Sequence, residues 1–405
     1  MNVKALLRLD TRLGVPLCFA FTLVRALTGG TPEARPPRSI LFIKLAEQGS
    51  TVLAYPALRR AVEMVGRENV YFIALEDNRF ILDLLDVIPA GNIITIPQKK
   101  LSALVFGAFA AIRKLRGLKL DAAVDLEFFS RGSAALAYLS GAARRSGFHA
   151  FLGAGPYRGN LMTHRLLYNP HLHTTETFLS LVEALSADPA QLPTFNFHPA
   201  AVVVEPPPFA PQPEELAAVK DMLRRETGGL PPLILLNANA SDLLPLRRWP
   251  PGRYVELAKR LLGKFPGVYV GFTGAPDEAE ATGGLVARVG SPRAVLLAGK
   301  TTLRQLLALY TLADVLVTND SGPAHFATLT PIHVVTLFGP ETPALFAART
   351  PRNRVLWAGI ACSPCVNPHN NRQSVCRDNL CMQAITVEQV FAEVCRAYAE
   401  RHRVP

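Results

Sequence analysis

The sequence predicts an α/β protein made of two doubly wound, Rossmann-like domains facing a cleft. Three observations carry that prediction. A length of 405 residues, at roughly 150 residues per domain, gives two large domains. Hydrophobic residues make up 49% of the chain and charged residues 19%, which supplies sizeable cores and excludes a disordered chain. Short apolar runs alternate with helical patterns on both sides of a Pro-rich stretch. Strands separated by helices read as parallel sheet covered on both faces.

The elements follow in order. Leu13 to Val24 carry no charge and are bounded by Arg12 and Arg25. A spanning helix needs about 20 apolar residues, so this run is short for one, and no small-residue cleavage pattern follows it. The expectation is a helix within residues 1–30 that lies on a membrane or on the protein's own surface. Lys4, Arg8, Arg12 and Arg25 suit anionic headgroups. The Pro-rich stretch Thr31 to Arg38 closes this region, so the first domain is expected over 39–205. Its strands are Ser39 to Leu45, Val70 to Leu75 and Ala122 to Phe128, with a helix over Val52 to Val65. The Pro-rich segment Val202 to Glu215 is the interdomain linker, and the second domain is expected over 206–405. Strands are expected there at Leu233 to Asn237, Val268 to Phe272, Ala294 to Gly299, Asp314 to Asn319 and His333 to Phe338. Helices are expected over 252–265 and 303–312, with a short one after Asn319.

Ligands of such sheets bind beyond the carboxyl ends of the strands, so the loops there hold the candidate chemistry. Asn319-Asp320-Ser321-Gly322-Pro323-Ala324-His325 follows a strand and opens a helix. Asp320 or Ser321 suits the cap, Pro323 the first turn, and Gly322 a close backbone approach to a ligand. Amides at a helix start suit a diphosphate, with His325 as a further donor; the competing reading is an ordinary strand-to-helix turn. Arg247 and Arg248 follow the first strand of the second series. An arginine there offers paired donors to a phosphate, against a solvated pair. Glu278 or Glu280 can accept from ribose hydroxyls, against acids that stabilise a helix start. The chain has no P-loop lysine motif and no G-x-G-x-x-G, which argues against a P-loop NTPase and a nicotinamide enzyme.

The strings FIKLAEQGSTVLAYPALRR, RRWPPGRYVELAKRL, FTGAPDEAEA and TNDSGPAHFATLTPIHVVTLFGPETP resemble glycosyltransferase family nine, the ADP-heptose:lipopolysaccharide heptosyltransferases, over most of residues 39–390. The resemblance implies a GT-B fold and inverting, metal-independent transfer of a sugar from a nucleotide diphosphate. It assigns Asp320, Ser321, Gly322 and His325 to the donor diphosphate and its surroundings. It also assigns Arg247 to the position of a phosphate-binding lysine and Glu278 to that of a ribose-binding acid. It further implies a lipid-linked glycan acceptor, such as lipopolysaccharide, at the cytoplasmic face of the inner membrane.

The family's first loop carries Gly-Asp, the Asp as general base; this chain has Gly49-Ser50. A serine cannot take a proton at neutral pH without its own base. Glu47, with a pKa raised in a closed cleft, is the replacement candidate. The alternatives are a transferase for another nucleotide sugar, such as a UDP-sugar, and a catalytically impaired sugar-nucleotide-binding protein. Gly49, Asp125, Glu127, Arg131 and Ser133 are candidates for the acceptor side.

The net charge of +11 and pI near 9.6 point to anionic partners. The basic residues are scattered without interleaved aromatics, so nucleic acid is not among the expected ones. Cys362, Cys365, Cys376 and Cys381 form C-x2-C-x10-C-x4-C. This pattern suits a structural zinc, an iron–sulfur site or free thiols. No cofactor is expected to take part in catalysis.

Overall fold

The structure is a computed structural model that describes residues 8, 10–29, 35–153, 155–192, 205–240 and 244–403. Several expectations fall outside the described residues: Lys4, positions 31–34 and 202–204 of the two Pro-rich stretches, and positions 241–243 of the loop preceding Arg247. The chain divides into two compact units. The first comprises Met1–Glu205 with Asn367–Gln373, and the second Pro206–Val366 with Ser374–Pro405.

In the first unit, β1 (Ile40–Ile43), β2 (Val70–Leu75), β3 (Ile93–Ile96), β4 (Ala122–Asp125), β5 (Arg144–Phe148) and β6 (His164–Leu166) form one parallel sheet. Its order is β3-β2-β1-β4-β5-β6. β1 reads Ile-Leu-Phe-Ile, and all four residues are buried, as a strand covered on both faces requires. β5 was not legible because it carries Arg144, Arg145 and Gly147. Arg145 satisfies its guanidinium inside the fold by donating from Nε to the Leu161 carbonyl at 2.7 Å. A side chain on Gly147 would come within 3.0 Å of Met162 Sδ.

The helices of this unit are α1 (Gly14–Thr28), α2 (Gln48–Leu53), α3 (Tyr55–Val65), α4 (Arg79–Leu85), α5 (Leu101–Leu118), α6 (Arg131–Leu139) and α7 (Thr174–Glu183). Ala54 separates α2 from α3 where one helix was expected, and Pro56 lies in the first turn of α3, where its missing N–H costs nothing.

α1 lies against the first unit along one narrow stripe. Cys18 is fully buried. At Gly14 an added Cβ would stand 2.6 Å from Arg131 Cβ. The Asp10 carboxylate accepts from Arg131 N at 3.0 Å and Gly132 N at 2.8 Å and pairs with Arg131 Nη1 at 3.2 Å, so it neutralises the positive start of α6. The helical stretch Asp10–Thr28 is, by length and composition alone, sufficient to cross a membrane, and 11% of it is buried. Its uncharged core, Leu13 to Val24, is shorter than a membrane span.

The second unit repeats the topology with β7 (Leu233–Asn237), β8 (Tyr269–Phe272), β9 (Ala294–Leu296), β10 (Val315–Asn319), β11 (His333–Phe338) and β12 (Asn353–Trp357), ordered β12-β11-β10-β7-β8-β9. Its helices are α8 (Pro213–Thr227), α9 (Pro251–Lys264), α10 (Ala279–Val289), α11 (Leu303–Leu312), α12 (Gly322–Ala327), α13 (Pro343–Phe346), α14 (Leu380–Gln383) and α15 (Val387–Arg401). Its core joins Trp249, Tyr254, Leu257 and Leu261 to Val270, Phe272, Val317 and Val394. Each such side chain contributes about 1.5–3 kcal/mol on burial.

In both sheets the strand order reverses beside the first strand. β1 lies next to β4, and β7 next to β10. Those reversals are where doubly wound sheets open a crevice for ligand; the candidate loops follow these four strands, except that of Glu278 and Glu280, which follows β8.

Candidate functional site

At the switch point of the first unit, β1 runs into Lys44, whose side chain is fully buried. Its Nζ pairs with Glu127 Oε2 at 3.1 Å and Glu47 Oε2 at 3.4 Å. Glu127 Oε1 also accepts from the amides of Leu45 at 2.8 Å and Ala46 at 3.1 Å. Glu127 therefore shapes the loop on which Glu47 stands. Glu47 adopts φ 68° and ψ 77°, a left-handed conformation that costs a non-glycine residue about 1–2 kcal/mol. Its second oxygen forms an ion pair with Arg372. Ser50 Oγ donates to the Glu47 carbonyl at 2.9 Å and lies 3.3 Å from Oε2. Ser50 thus serves as a donor that orients Glu47. Gly49 is buried in the same short helix, α2.

Arg372 belongs to residues 367–373, the late segment of the first unit. Aromatic rings hold that segment. Arg372 lies over Phe128 at 5.9 Å, and His369 packs on Phe129 at 5.7 Å and Tyr168 at 5.1 Å.

Three acceptor-side candidates, Asp125, Ser133 and Arg131, are turned inward. Asp125 is fully buried and ion-paired with Arg158. It accepts from Ser133 Oγ at 2.9 Å and from the Glu127 amide at 3.1 Å. Burial pushes its carboxyl up to about 6, against the pull of Arg158. Arg158 closes the arrangement by donating to the Phe128 carbonyl at 2.8 Å. Arg131 is spent on Asp10 and on packing against α1. Asp125, Ser133 and Arg131 therefore set the β4–α6 turn.

At the switch point of the second unit, Asn319 ties the two loops together. Its Oδ1 accepts from Trp249 N at 3.0 Å and Tyr254 Oη at 3.1 Å, and its Nδ2 donates to the Asn239 carbonyl at 3.0 Å. This explains much of the RRWPPGRY string. Trp249 donates from Nε1 to the Ile385 carbonyl at 2.9 Å, and Arg248 donates to the Ala240 carbonyl at 2.7 Å. Arg248 is thus a loop pin. Arg247 pairs with the buried Glu341, lies 3.7 Å from Asp320 Oδ2, and donates to the Asp320 carbonyl at 3.3 Å. Two acids hold its guanidinium in place.

Ser321 precedes α12 in an extended conformation without a side-chain cap; its Oγ donates to the Asn319 carbonyl at 3.1 Å. Gly322 opens this helix of six residues, and a Cβ there would meet the Phe326 ring at 3.3 Å. His325 is buried. Glu278 Oε2 accepts from the Ala275 amide at 2.8 Å, which caps its own turn; Glu280 lies in the first turn of α10. At Gly274 a Cβ would come 2.7 Å from Asn239 Nδ2 and 3.1 Å from Glu278 Oε2. A side chain at Gly274 would thus have to displace the ends of Asn239 and Glu278.

The cysteine segment belongs to the second unit. Cys362 is exposed and Cys381 buried. Burial pushes the Cys381 thiol up to about 11, and Cys365, Cys376 and Cys362 add to the shift, so the four thiols share a neighbourhood. Among the described residues, no three His, Cys, Asp or Glu are gathered closely enough to hold a metal ion. The donors fit zinc or iron in type, but they do not form a ligand set.

Two doubly wound units of the same strand order, with their polar side chains gathered at the two reversals, define an α/β protein of GT-B type. The chain belongs to glycosyltransferase family 9 (heptosyltransferase), whose model matches residues 108–375. A stretch of 115 residues is 34% identical to lipopolysaccharide heptosyltransferase 2 of Salmonella typhimurium, covering 28% of this chain and 32% of that protein. The match thus spans about a third of that relative's length. The fold is similar to E. coli ADP-heptose lipopolysaccharide heptosyltransferase II, with a TM-score of 0.66, 20% identity, and coverage of 90% of this chain and 100% of that one. It is also similar to the dodecameric, iron-containing heptosyltransferase TibC in complex with ADP-D-β-D-heptose. There the TM-score is 0.52, with 14% identity over 92% of this chain and 79% of that one.

Proposed function

We propose that this protein transfers a sugar, heptose from ADP-heptose, to a lipid-linked glycan of the lipopolysaccharide type. The observation that carries the reading is Arg247, fixed by Asp320 and Glu341 at the switch point of the second unit. A guanidinium held there is preorganised for the charge that grows on a departing diphosphate, and such charge needs no metal to meet it. Names of relatives support the nucleotide and sugar.

In this reading the first unit supplies the proton acceptor. Glu47 removes the proton from the acceptor hydroxyl as that oxygen attacks the anomeric carbon, opposite the departing nucleotide, so the configuration inverts. Ser50 orients the Glu47 carboxylate, and a strained backbone held by several partners is the kind of feature that marks a functional residue. Glu278 and Asp320 complete the donor side. The protein works at the cytoplasmic face of the inner membrane, where such an acceptor is presented.

The four-cysteine segment is proposed to carry a structural metal ion. The shared neighbourhood of the thiols supports this, and the lack of a formed ligand set weighs against it. Metal analysis of the purified protein decides: one equivalent of zinc or iron supports the proposal, and none removes it.

A thermal-shift panel of nucleotide sugars followed by a transfer assay tests the main proposal. A ligand specific for the folded state raises Tm by mass action. ADP-heptose should give the largest rise and be consumed with the acceptor. A larger rise with a UDP-sugar would change the donor, and binding without turnover would leave a binding protein.

A further inference from the structure

The first unit carries an apolar surface that its own core does not use. Helix α5 is amphipathic twice over. Ala111 and Leu115 are buried, and Leu104, Ala108 and Ile112 pack on the core cluster. The flank next to that face exposes Leu101 (49%), Val105 (58%), Phe106 (73%) and Phe109 (68%). The spacing 101, 105, 106, 109 makes one stripe along the helix. Large apolar side chains on a solvent face mark a docking surface when they are contiguous.

Charge identifies the occupant. Lys99, Lys100, Arg113, Lys114 and Lys119 flank the stripe and are exposed, and no Asp or Glu occurs between Asp86 and Asp121. An apolar stripe with aromatic residues, on a segment whose charged residues are all cations, matches an anionic lipid surface: rings enter the acyl boundary while ammonium groups meet phosphates. α1 lies on the same side of the sheet, because its Cys18 and Phe21 join the cluster that receives α5. It exposes Leu13, Phe19, Leu23 and Leu27.

We infer that α5, together with the outer side of α1, is the surface by which the first unit docks on an anionic bilayer. Phe106 and Phe109 are the inserting anchors, and Lys99, Lys100, Arg113 and Lys114 are the headgroup contacts. This rests on the proposed site of action at a membrane but goes further, because it assigns docking to a helix far from the N-terminus in sequence.

The test is co-sedimentation of the full chain with vesicles of phosphatidylcholine, with and without phosphatidylglycerol. The wild-type protein should bind only the anionic vesicles and should be released by salt. The double variant Phe106→Ser/Phe109→Ser should lose affinity by roughly tenfold per phenylalanine, with an unchanged melting curve. Lys99→Ser/Lys100→Ser/Lys114→Ser should lose the preference for anionic lipid. Equal binding by wild type and the phenylalanine variant, with loss only in Leu23→Ser/Leu27→Ser, would confine docking to α1 and overturn the assignment of α5. No vesicle binding by the wild type would overturn membrane docking altogether. If sedimentation velocity then showed a dimer that the phenylalanine variant abolishes, the surface would belong to a second copy of the chain.

Discussion

At the β1/β4 switch point charge is held by charge, whereas at the β7/β10 switch point a neutral amide does most of the holding. In the first, Lys44 bridges Glu127 and Glu47, Arg372 meets Glu47, and Arg158 meets Asp125. In the second, Asn319 makes the loop-to-loop bonds, and Arg247 is the cation set between acids. Strand order is the same in both sheets, so topology alone did not choose these solutions. In the first loop, cations hold the Glu47 carboxylate in one orientation. In the second, one cation, Arg247, is set between two acids beside the neutral Asn319.

This contrast can be broken in four ways. The largest effect is expected at Glu47. If the first switch point exists to hold a proton acceptor, Glu47→Gln should lower kcat by about 10²–10⁴-fold while calorimetry finds donor binding intact. Unchanged turnover would leave the carboxylate a structural ion pair. Next is the buried pair: Arg158→Met strands Asp125 without its cation, which costs about 3–5 kcal/mol in urea unfolding. A loss below 1 kcal/mol would mean that the turn is held by Ser133 and backbone alone.

At the second switch point, Arg247→Ala should reduce kcat about 10²–10³-fold and weaken nucleotide binding, with Arg247→Lys recovering part of both. An effect on kcat without one on binding would place Arg247 solely at the departing charge. The smallest effect is a pH slope. The Asp125 carboxyl titrates near 6 in the fold against an ordinary 3.8. Between those values the folded state binds more protons than the unfolded one. Its contribution to stability is therefore full below about pH 4 and lost as pH rises through about 6. Asp125→Asn should remove that fall from the stability profile; an unaltered slope would assign it to other groups.

Much of the fold was legible because buried parallel strands are apolar runs. Val70–Leu75, Leu233–Asn237 and His333–Phe338 form strands as read. β5 and β12 escaped because arginines and asparagine occupy them, and only tertiary partners such as the Leu161 carbonyl make that tolerable. The sequence places Glu47 and Asp320 directly after strands, and the structure puts both at the switch points. The site was not legible where partners come from far along the chain. Arg158 and Arg372 have no local signal, and Lys44 reads as the polar end of a strand. An acid at a strand end and a base at a helix start look the same in sequence whether they face a ligand or a partner within the fold, as Asp125 faces Arg158 and Arg131 faces Asp10.

The return of residues 367–373 to the first unit bears on how the protein can be dissected. A fragment ending at Glu205 would contain every strand of the first sheet, yet it would lack Arg372 and the His369 ring. Such a half-molecule would present Glu47 with one cation fewer. The early part of the chain is thus completed by a piece encoded some 160 residues downstream of the apparent boundary at Glu205, and recombining halves between relatives would need to exchange that piece as well.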